Sequence, residues 1–209
     1  QAKGDWIGFL DVDDFWYPSK LQLQFDSIKK SKKNVGLIYG RCEILIEQER
    51  DILRSARREV RPCKRLPEGD ISKEILDGNF LPSPSVLYSA EALKEYAFAS
   101  RFEHAPDYYF STVISQKYSA KAVDEIICVY RKHARNLSLE KEEAGHLEGL
   151  FIANLADPDQ LIANAHIARC VIYFVRKKKL QKAFCIVKDN GLWKSITSVI
   201  RLLNFRRIY

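Results

Sequence analysis

Trp6-Ile7-Gly8-Phe9-Leu10-Asp11-Val12-Asp13-Asp14 is the stretch on which the fold turns. Trp6 to Leu10 is an apolar run of strand length, and it enters an acidic turn without any spacer. Three carboxylates crowded into Asp11–Asp14 repel one another, and each is driven toward protonation unless a cation compensates. A divalent ion is the simplest compensation. Hard oxygen ligands suit Mg2+ or Mn2+, ions that also bind diphosphates. A solvated turn whose aspartates cap the following helix is the other reading of the same residues.

Downstream of the turn the pattern alternates between strand and helix, which implies an α/β fold. Pro18 and Ser19 open a helix, with Ser19 as its cap and Leu21, Phe25 and Ile28 on the expected inner face. Val35–Tyr39 and Cys42–Ile46 read as two strands. Residues 47–67 are polar, basic and aperiodic, as in a long loop or hairpin excursion. Asp70 caps a short helix to Leu76, with Gly78 just past its end. Phe80–Tyr88 is extended, Ser89 caps a helix to Tyr96, and Asp107–Gln116 is helical. Ala120–Asp124 and Ile126–Tyr130 are the last expected strands. From about Leu139 only helices are expected: one started by Asp157, Pro158 and Gln160 and running to about Lys178, then Leu180–Lys188 and Leu192–Asn204.

A chain of 209 residues suits one domain with an appendage. Its 46% hydrophobic and 29% charged residues can build a soluble core without a disulfide or zinc staple. The cysteines Cys42, Cys63, Cys128, Cys170 and Cys185 are odd in number and form no CxxC pair, which implies reduced, mostly buried thiols in a cytoplasmic protein. The net charge of +7 fits an anionic partner: nucleic acid, a nucleotide or a membrane surface. The apolar run Cys170–Val175 is too short to span a bilayer, so membrane association would be peripheral.

The run from Gly4 to Leu21, with Phe9-Leu10-Asp11-Val12-Asp13-Asp14 at its centre and Pro18, Lys20 and Leu21 behind it, resembles the DxD segment of family 2 glycosyltransferases, enzymes of the GT-A fold. Three later segments resemble the family in order: Phe80–Tyr88, Pro106-Asp107-Tyr108-Tyr109-Phe110, and Val129–His133 with Asn136 and Ser138. Pro106 departs from the family pattern, which carries Glu there. The resemblance implies that Asp11 and Asp13, followed by Asp14, hold Mg2+ or Mn2+ on a nucleotide-diphosphate sugar, with Asp11 also facing the nucleotide. It implies Asp107 as general base, Arg131 and His133 as cofactor-side residues meeting the departing diphosphate, and Ser85 and Trp16 on the acceptor side. On this resemblance the chain is expected to lack the family's upstream nucleotide-binding portion.

The expected architecture is therefore the C-terminal portion of a GT-A domain, Rossmann-like with a mixed sheet, over residues 1–138, and a helical appendage over 139–209. The expected activity is inverting, metal-dependent transfer from a nucleotide-diphosphate sugar donor to a hydroxyl of a saccharide or lipid-linked saccharide, in bacterial surface polysaccharide or glycolipid synthesis. The basic C-terminal helices suggest peripheral contact with the inner membrane surface. Three alternatives stand beside it. One is an inactive fragment of such an enzyme. Another is a metal-dependent phosphotransferase, disfavoured because no Gly-rich phosphate loop is present. The last is a basic nucleic-acid-binding module, which lacks a recognised motif and is opposed by the acidic turn; no nucleic-acid partner is expected.

Overall fold

A computed structural model describes residues 2–29, 31, 34–46, 57–62, 65–96, 102–133, 136, 141–157 and 164–190. The described elements run β1 (Trp6–Gly8), β2 (Phe15–Trp16), α1 (Lys20–Lys29), β3 (Val35–Ile46), β4 (Arg57–Arg61), α2 (Ser72–Asp77), a 3-10 turn (Ser83–Ser85), β5 (Leu87–Ser89), α3 (Ala90–Lys94), α4 (Pro106–Ser115), β6 (Ser119–Lys132), α5 (Glu142–Ala156), α6 (Asn164–Arg176) and α7 (Leu180–Asn190). The strands form one mixed sheet in the order β1-β5-β3-β6-β2, with β4 also on β3. β3 and β6 are parallel and every other pairing is antiparallel. This is the expected α/β class.

The strands are longer than local sequence suggests. Val35–Ile46 is one strand where two were expected, and Ser119–Lys132 likewise. The expected breaks are irregularities within a continuous parallel ladder, where Gly40 pairs with Val123 and Arg41 with Ile126. Gly40 is required there, because a Cβ would lie 2.6 Å from Ile127 Cδ1. Part of the basic 47–67 excursion is β4, which returns along β3 from Ile46↔Arg57 to Cys42↔Arg61. Residues 47–56 and 63–64 lie outside the described residues.

Helix α1 keeps only part of the expected inner face, with Ile28 packed against the core. Leu21 and Phe25 are 41% and 36% exposed, whereas Lys20 and Gln24 are fully buried. Gln24 Nε2 donates to the carbonyls of Ile38 (3.2 Å) and Ser85 (2.8 Å), and its Oε1 accepts from Lys20 Nζ at 2.6 Å. The ammonium lies 4.4 Å from the Trp16 ring centroid. Burial holds the Lys20 amine down at about 8. Fully partnered polar groups can replace apolar ones in a core, and here they bolt α1 to the sheet behind the acidic turn.

The main core includes Leu37, Tyr39, Ile71, Ile75, Tyr88, Tyr108, Phe110 and Ile114, and α5 adds Ile152 and Ala153 to it. A second cluster joins Leu150, Ile167, Cys170, Phe174, Ala183 and Ile186 across α5, α6 and α7. The expected helix start at Pro158 and Gln160 and the helix at Leu192–Asn204 lie outside the described residues, as does Cys63. Cys42, Cys128 and Cys170 are buried as expected, but Cys185 is exposed, because it follows exposed Phe184 on the outer face of α7.

Candidate active site

The acidic turn is pinned at both ends by the sheet. β1 ahead of it pairs with β5, β2 behind it pairs with β6, and Asp14 N donates to the Asp11 carbonyl at 3.1 Å. This geometry sorts the three aspartates. Asp11 and Asp13 line a cleft of about 1260 Å3. Asp14 turns inward and is 5% exposed; its Oδ1 accepts the Arg131 amide at 3.0 Å, and its Oδ2 is buried without a partner. Burial pushes this carboxyl up to about 6, and the charges of Asp13 and Asp11 add to the rise. The sequence expectation made Asp14 a metal ligand alongside the other two. The structure instead commits it to β6.

The end of β6 meets the turn. His133 Nε2 lies 3.0 Å from Asp13 Oδ2, and Asn136 Nδ2 donates to the same oxygen at 3.3 Å and to the Arg131 carbonyl at 3.1 Å. Arg131 places its guanidinium 5.9 Å from the Phe15 ring. His133 thus meets the turn through its ring and Arg131 through its backbone amide, while neither is among the residues that line the cleft. Asn136 was quoted in the closing motif but was not expected as a site residue, yet it binds Asp13 and lines the cleft.

Asp107 lines the same cleft from the other side, as the second residue of α4. It is half-buried and accepts from Asn79 Nδ2 at 3.3 Å. Burial raises its carboxyl above the ordinary range; the Tyr108 amide and Asn79 pull it down, and the charge of Asp11 raises it further. Asp11 and Asp107 thus feel each other across the cleft. Stacked rings connect the two walls: Phe9, next to the turn, lies 6.4 Å from Phe110 on α4 and 6.1 Å from Tyr88 on β5. Tyr88 Oη in turn donates to the Asp107 carbonyl at 3.3 Å. Asn79 was not expected at all; its only sequence signal is its place just after the Gly78 helix stop.

The two acceptor-side expectations fare differently. Ser85 is completely buried, with its hydroxyl donating to the Pro82 carbonyl at 2.7 Å, so Ser83 and not Ser85 reaches the cleft wall. Trp16 is half-buried, donates from Nε1 to the Pro84 carbonyl at 2.8 Å, and carries Lys20 over its ring. It braces the turn from behind.

Among the described residues, no three His, Cys, Asp or Glu side chains are grouped to hold a metal by themselves. The pair that faces the cleft still fits one. Mg2+ commonly takes one or two carboxylates and completes its shell with water and substrate phosphates. Asp11 and Asp13 are hard oxygen donors at an open wall, and His133 and Asn136 orient the second of them, as outer partners of metal ligands do.

Part of the chain is similar to known proteins. Residues 1–96 match the family described as "Glycosyl transferase family 2". The chain is 23% identical over 131 residues to a protein described as an uncharacterized glycosyltransferase of Methanocaldococcus jannaschii, a match covering 62% of this chain and 43% of that protein. The chain thus spans less than half the length of the curated relative it matches. The matched residues of glycosyl transferase family 2 include the acidic turn with β1, β2 and β5, whereas β6 and Asp107 lie beyond them.

Proposed function

We propose that this chain carries the metal and base side of a glycosyltransferase that moves a sugar from a nucleotide diphosphate to a hydroxyl group. The observation that carries the reading is the single cleft lined by Asp11 and Asp13 on one wall and by Asp107 on the other. Asp11 and Asp13 would hold Mg2+ or Mn2+, which supplies charge neutralisation for the diphosphate. Arg131 and His133 sit at the same turn as further cationic or hydrogen-bonding groups for the departing phosphate oxygens.

Asp107 supplies the other half. The acceptor hydroxyl oxygen forms a bond to the anomeric carbon while the carbon–phosphate oxygen bond breaks. The electron pair leaves on the nucleotide diphosphate, and the hydroxyl proton passes to the Asp107 carboxylate. A carboxyl held above its ordinary pKa by burial is a stronger base than an exposed one, which suits this task. A single displacement of this kind inverts the anomeric centre.

Titration calorimetry of UDP and GDP, with and without Mn2+, tests the donor side. Metal-dependent binding by the wild type that is lost in Asp13→Ala is the expected result. Metal-independent binding unaffected by the substitution would sink it.

One surface also favours contact with an anionic lipid headgroup layer, as suits a lipid-linked saccharide acceptor. Leu180 and Phe184 lie one turn apart on α7, 65% and 67% exposed, and Lys177, Lys178, Lys179 and Lys182 are near them in sequence, with Lys177, Lys179 and Lys182 paired to Glu142 and Glu143 on α5. Exposed apolar side chains on a lysine-rich helical segment suit such a layer. Among the described residues no helix is long and apolar enough to cross a membrane. Co-sedimentation with phosphatidylglycerol vesicles that Phe184→Asp abolishes is expected; sedimentation equal for both proteins would refute the assignment.

A further inference from the structure

Helix α4 starts without a side-chain cap of its own: Ala105 stands at its N-cap and Pro106 follows. The first amides of a helix are orphan donors that need acceptors from elsewhere. The Asp107 carboxyl takes the Tyr108 amide itself, whereas the N-cap amide of Ala105 and the two amides ahead of it share one distant acceptor. Glu148, in the middle of α5, accepts from Glu103 N at 3.1 Å through Oε1, and from His104 N at 2.8 Å and Ala105 N at 3.0 Å through Oε2. One carboxylate more than forty residues away thus caps the helix that carries Asp107, at the end where the helix dipole favours negative charge. The next residue after Asp107 is held from the same side. Tyr108 Oη lies 2.8 Å from His166 Nε2 on α6 and donates to the Ile75 carbonyl at 3.2 Å. Glu103 and His104, anchored by Glu148, are themselves part of the cleft wall beside Asp107.

We propose that Glu148 is a positioning residue for Asp107: by capping α4 from α5 it fixes the rim at residues 103–105 and sets how far the Asp107 carboxyl is shielded from water. This rests on the reading of Asp107 as the base. It also makes the helices after β6 part of the active-site frame.

The consequence is visible at Asp107 without any substrate. Its carboxyl is raised chiefly by burial, so a loosened rim that admits water lowers it. The test is a carbon-13 NMR titration of the Asp107 carboxyl in the full chain for the wild type, Glu148→Ala and Glu148→Gln. Hydrogen exchange of the Glu103, His104 and Ala105 amides is read on the same samples. In Glu148→Ala the titration midpoint is expected to fall by about one pH unit and those amides to exchange at least tenfold faster. Glu148→Gln, which keeps an acceptor oxygen, is expected to retain the larger part of both properties. Should Glu148→Ala fail to fold, Glu148→Asp takes its place, with the carboxylate drawn back by one methylene. An unmoved Asp107 midpoint with unchanged exchange in the folded variant overturns the proposal. That failure is separable from failure of the function itself, which is read independently by the nucleotide titration of Asp13→Ala.

Discussion

His166 offers the sharpest test of how the helices after β6 hold the cleft. It is 8% exposed, stacked on Tyr108 with ring centroids 5.1 Å apart, and its Nε2 lies 2.8 Å from the Tyr108 hydroxyl. Burial drives its pKa down from 6.5 to about 3, with Arg169 and His146 adding to the fall. The imidazole is therefore neutral in the folded chain at every ordinary pH, and it protonates near 6.5 once unfolded. A base with a depressed folded pKa contributes stability that is fully present above the unfolded pKa and is lost as pH falls below it. Between pH 6.5 and 3 the unfolded state binds the extra proton. At pH 5 the gap is about 1.5 units, or roughly 2 kcal/mol of lost stability at about 1.36 kcal/mol per unit. At pH 7.5 the loss is close to zero. The perturbation is His166→Gln, whose amide nitrogen reaches the position of Nε2 and does not titrate. At pH 7.5 the variant is expected to be less stable than the wild type by about 1 kcal/mol, the worth of an imperfect hydrogen bond and stack. At pH 5 the order reverses, with the variant ahead by about 1 kcal/mol. Urea unfolding followed by tryptophan fluorescence at the two pH values measures both differences. Other groups that titrate in this window cancel between the two proteins. A stability difference that is the same at pH 5 and pH 7.5 would refute the argument.

Other expectations are briefer. Asp107→Asn should lower transfer by about 10²- to 10⁴-fold, the usual worth of a general base, and leave UDP or GDP affinity within twofold. Equal loss of nucleotide binding would place Asp107 on the wrong side of the reaction. Asn136→Ala removes one of the two side chains that orient Asp13, and Mn2+-dependent nucleotide affinity should fall by about tenfold in calorimetry, as for other outer-shell partners. Gly36→Ala should cost about 1–3 kcal/mol in urea unfolding, since its Cβ would stand 2.3 Å from Tyr118 Cβ and 2.7 Å from Ile114 Cγ2 with little room to relax. An unchanged urea midpoint would mean that α4 and β3 are less tightly packed than described.

The parts of the fold that were legible in the sequence are those fixed by neighbours in the chain. The strand into Asp11–Asp14 needs only five apolar residues and three acids. The stop of α2 needs only Gly78, and the cap of α3 only Ser89, whose Oγ accepts from Ala92 N. The readings that failed depended on distant partners. Gln24 is inside because the carbonyls of residues 38 and 85 converge on its amide, a fact that no periodicity within α1 contains. Leu21 and Phe25 were placed inside by the ordinary rule that apolar faces seek the core, and fully partnered polar groups overrode it. β3 and β6 read as broken at Gly40-Arg41 and at Glu125, which fall between the expected strands, yet each strand is carried through the irregularity by the other. Ser85 was placed on the acceptor side by the resemblance, but the 3-10 turn folds its hydroxyl back onto Pro82. Glu148 had no local signal, because the amides it caps belong to a helix met forty residues earlier.

The same contrast explains why three aspartates in four positions need not repel one another to the point of instability. Each environment gives its carboxylate a different task. Asp14 carries the cost of burial and, in exchange, ties the turn to the Arg131 amide on β6; with a raised pKa it sheds part of its charge as the pH falls toward 6. Asp13 is held from behind by His133 and Asn136, which fixes its direction and offsets its charge without covering the cleft. Asp11 remains on the open wall, and its field reaches Asp107 opposite. Two carboxylates therefore face the space where a diphosphate and its cation would sit, and a third braces them. A turn that kept all three pointing outward would have to be compensated by the cation alone, and would lose its shape whenever the cation left. By committing Asp14 to the sheet, the fold gives the turn a geometry that does not depend on what occupies the cleft, which is the preorganisation that a site for a developing negative charge requires.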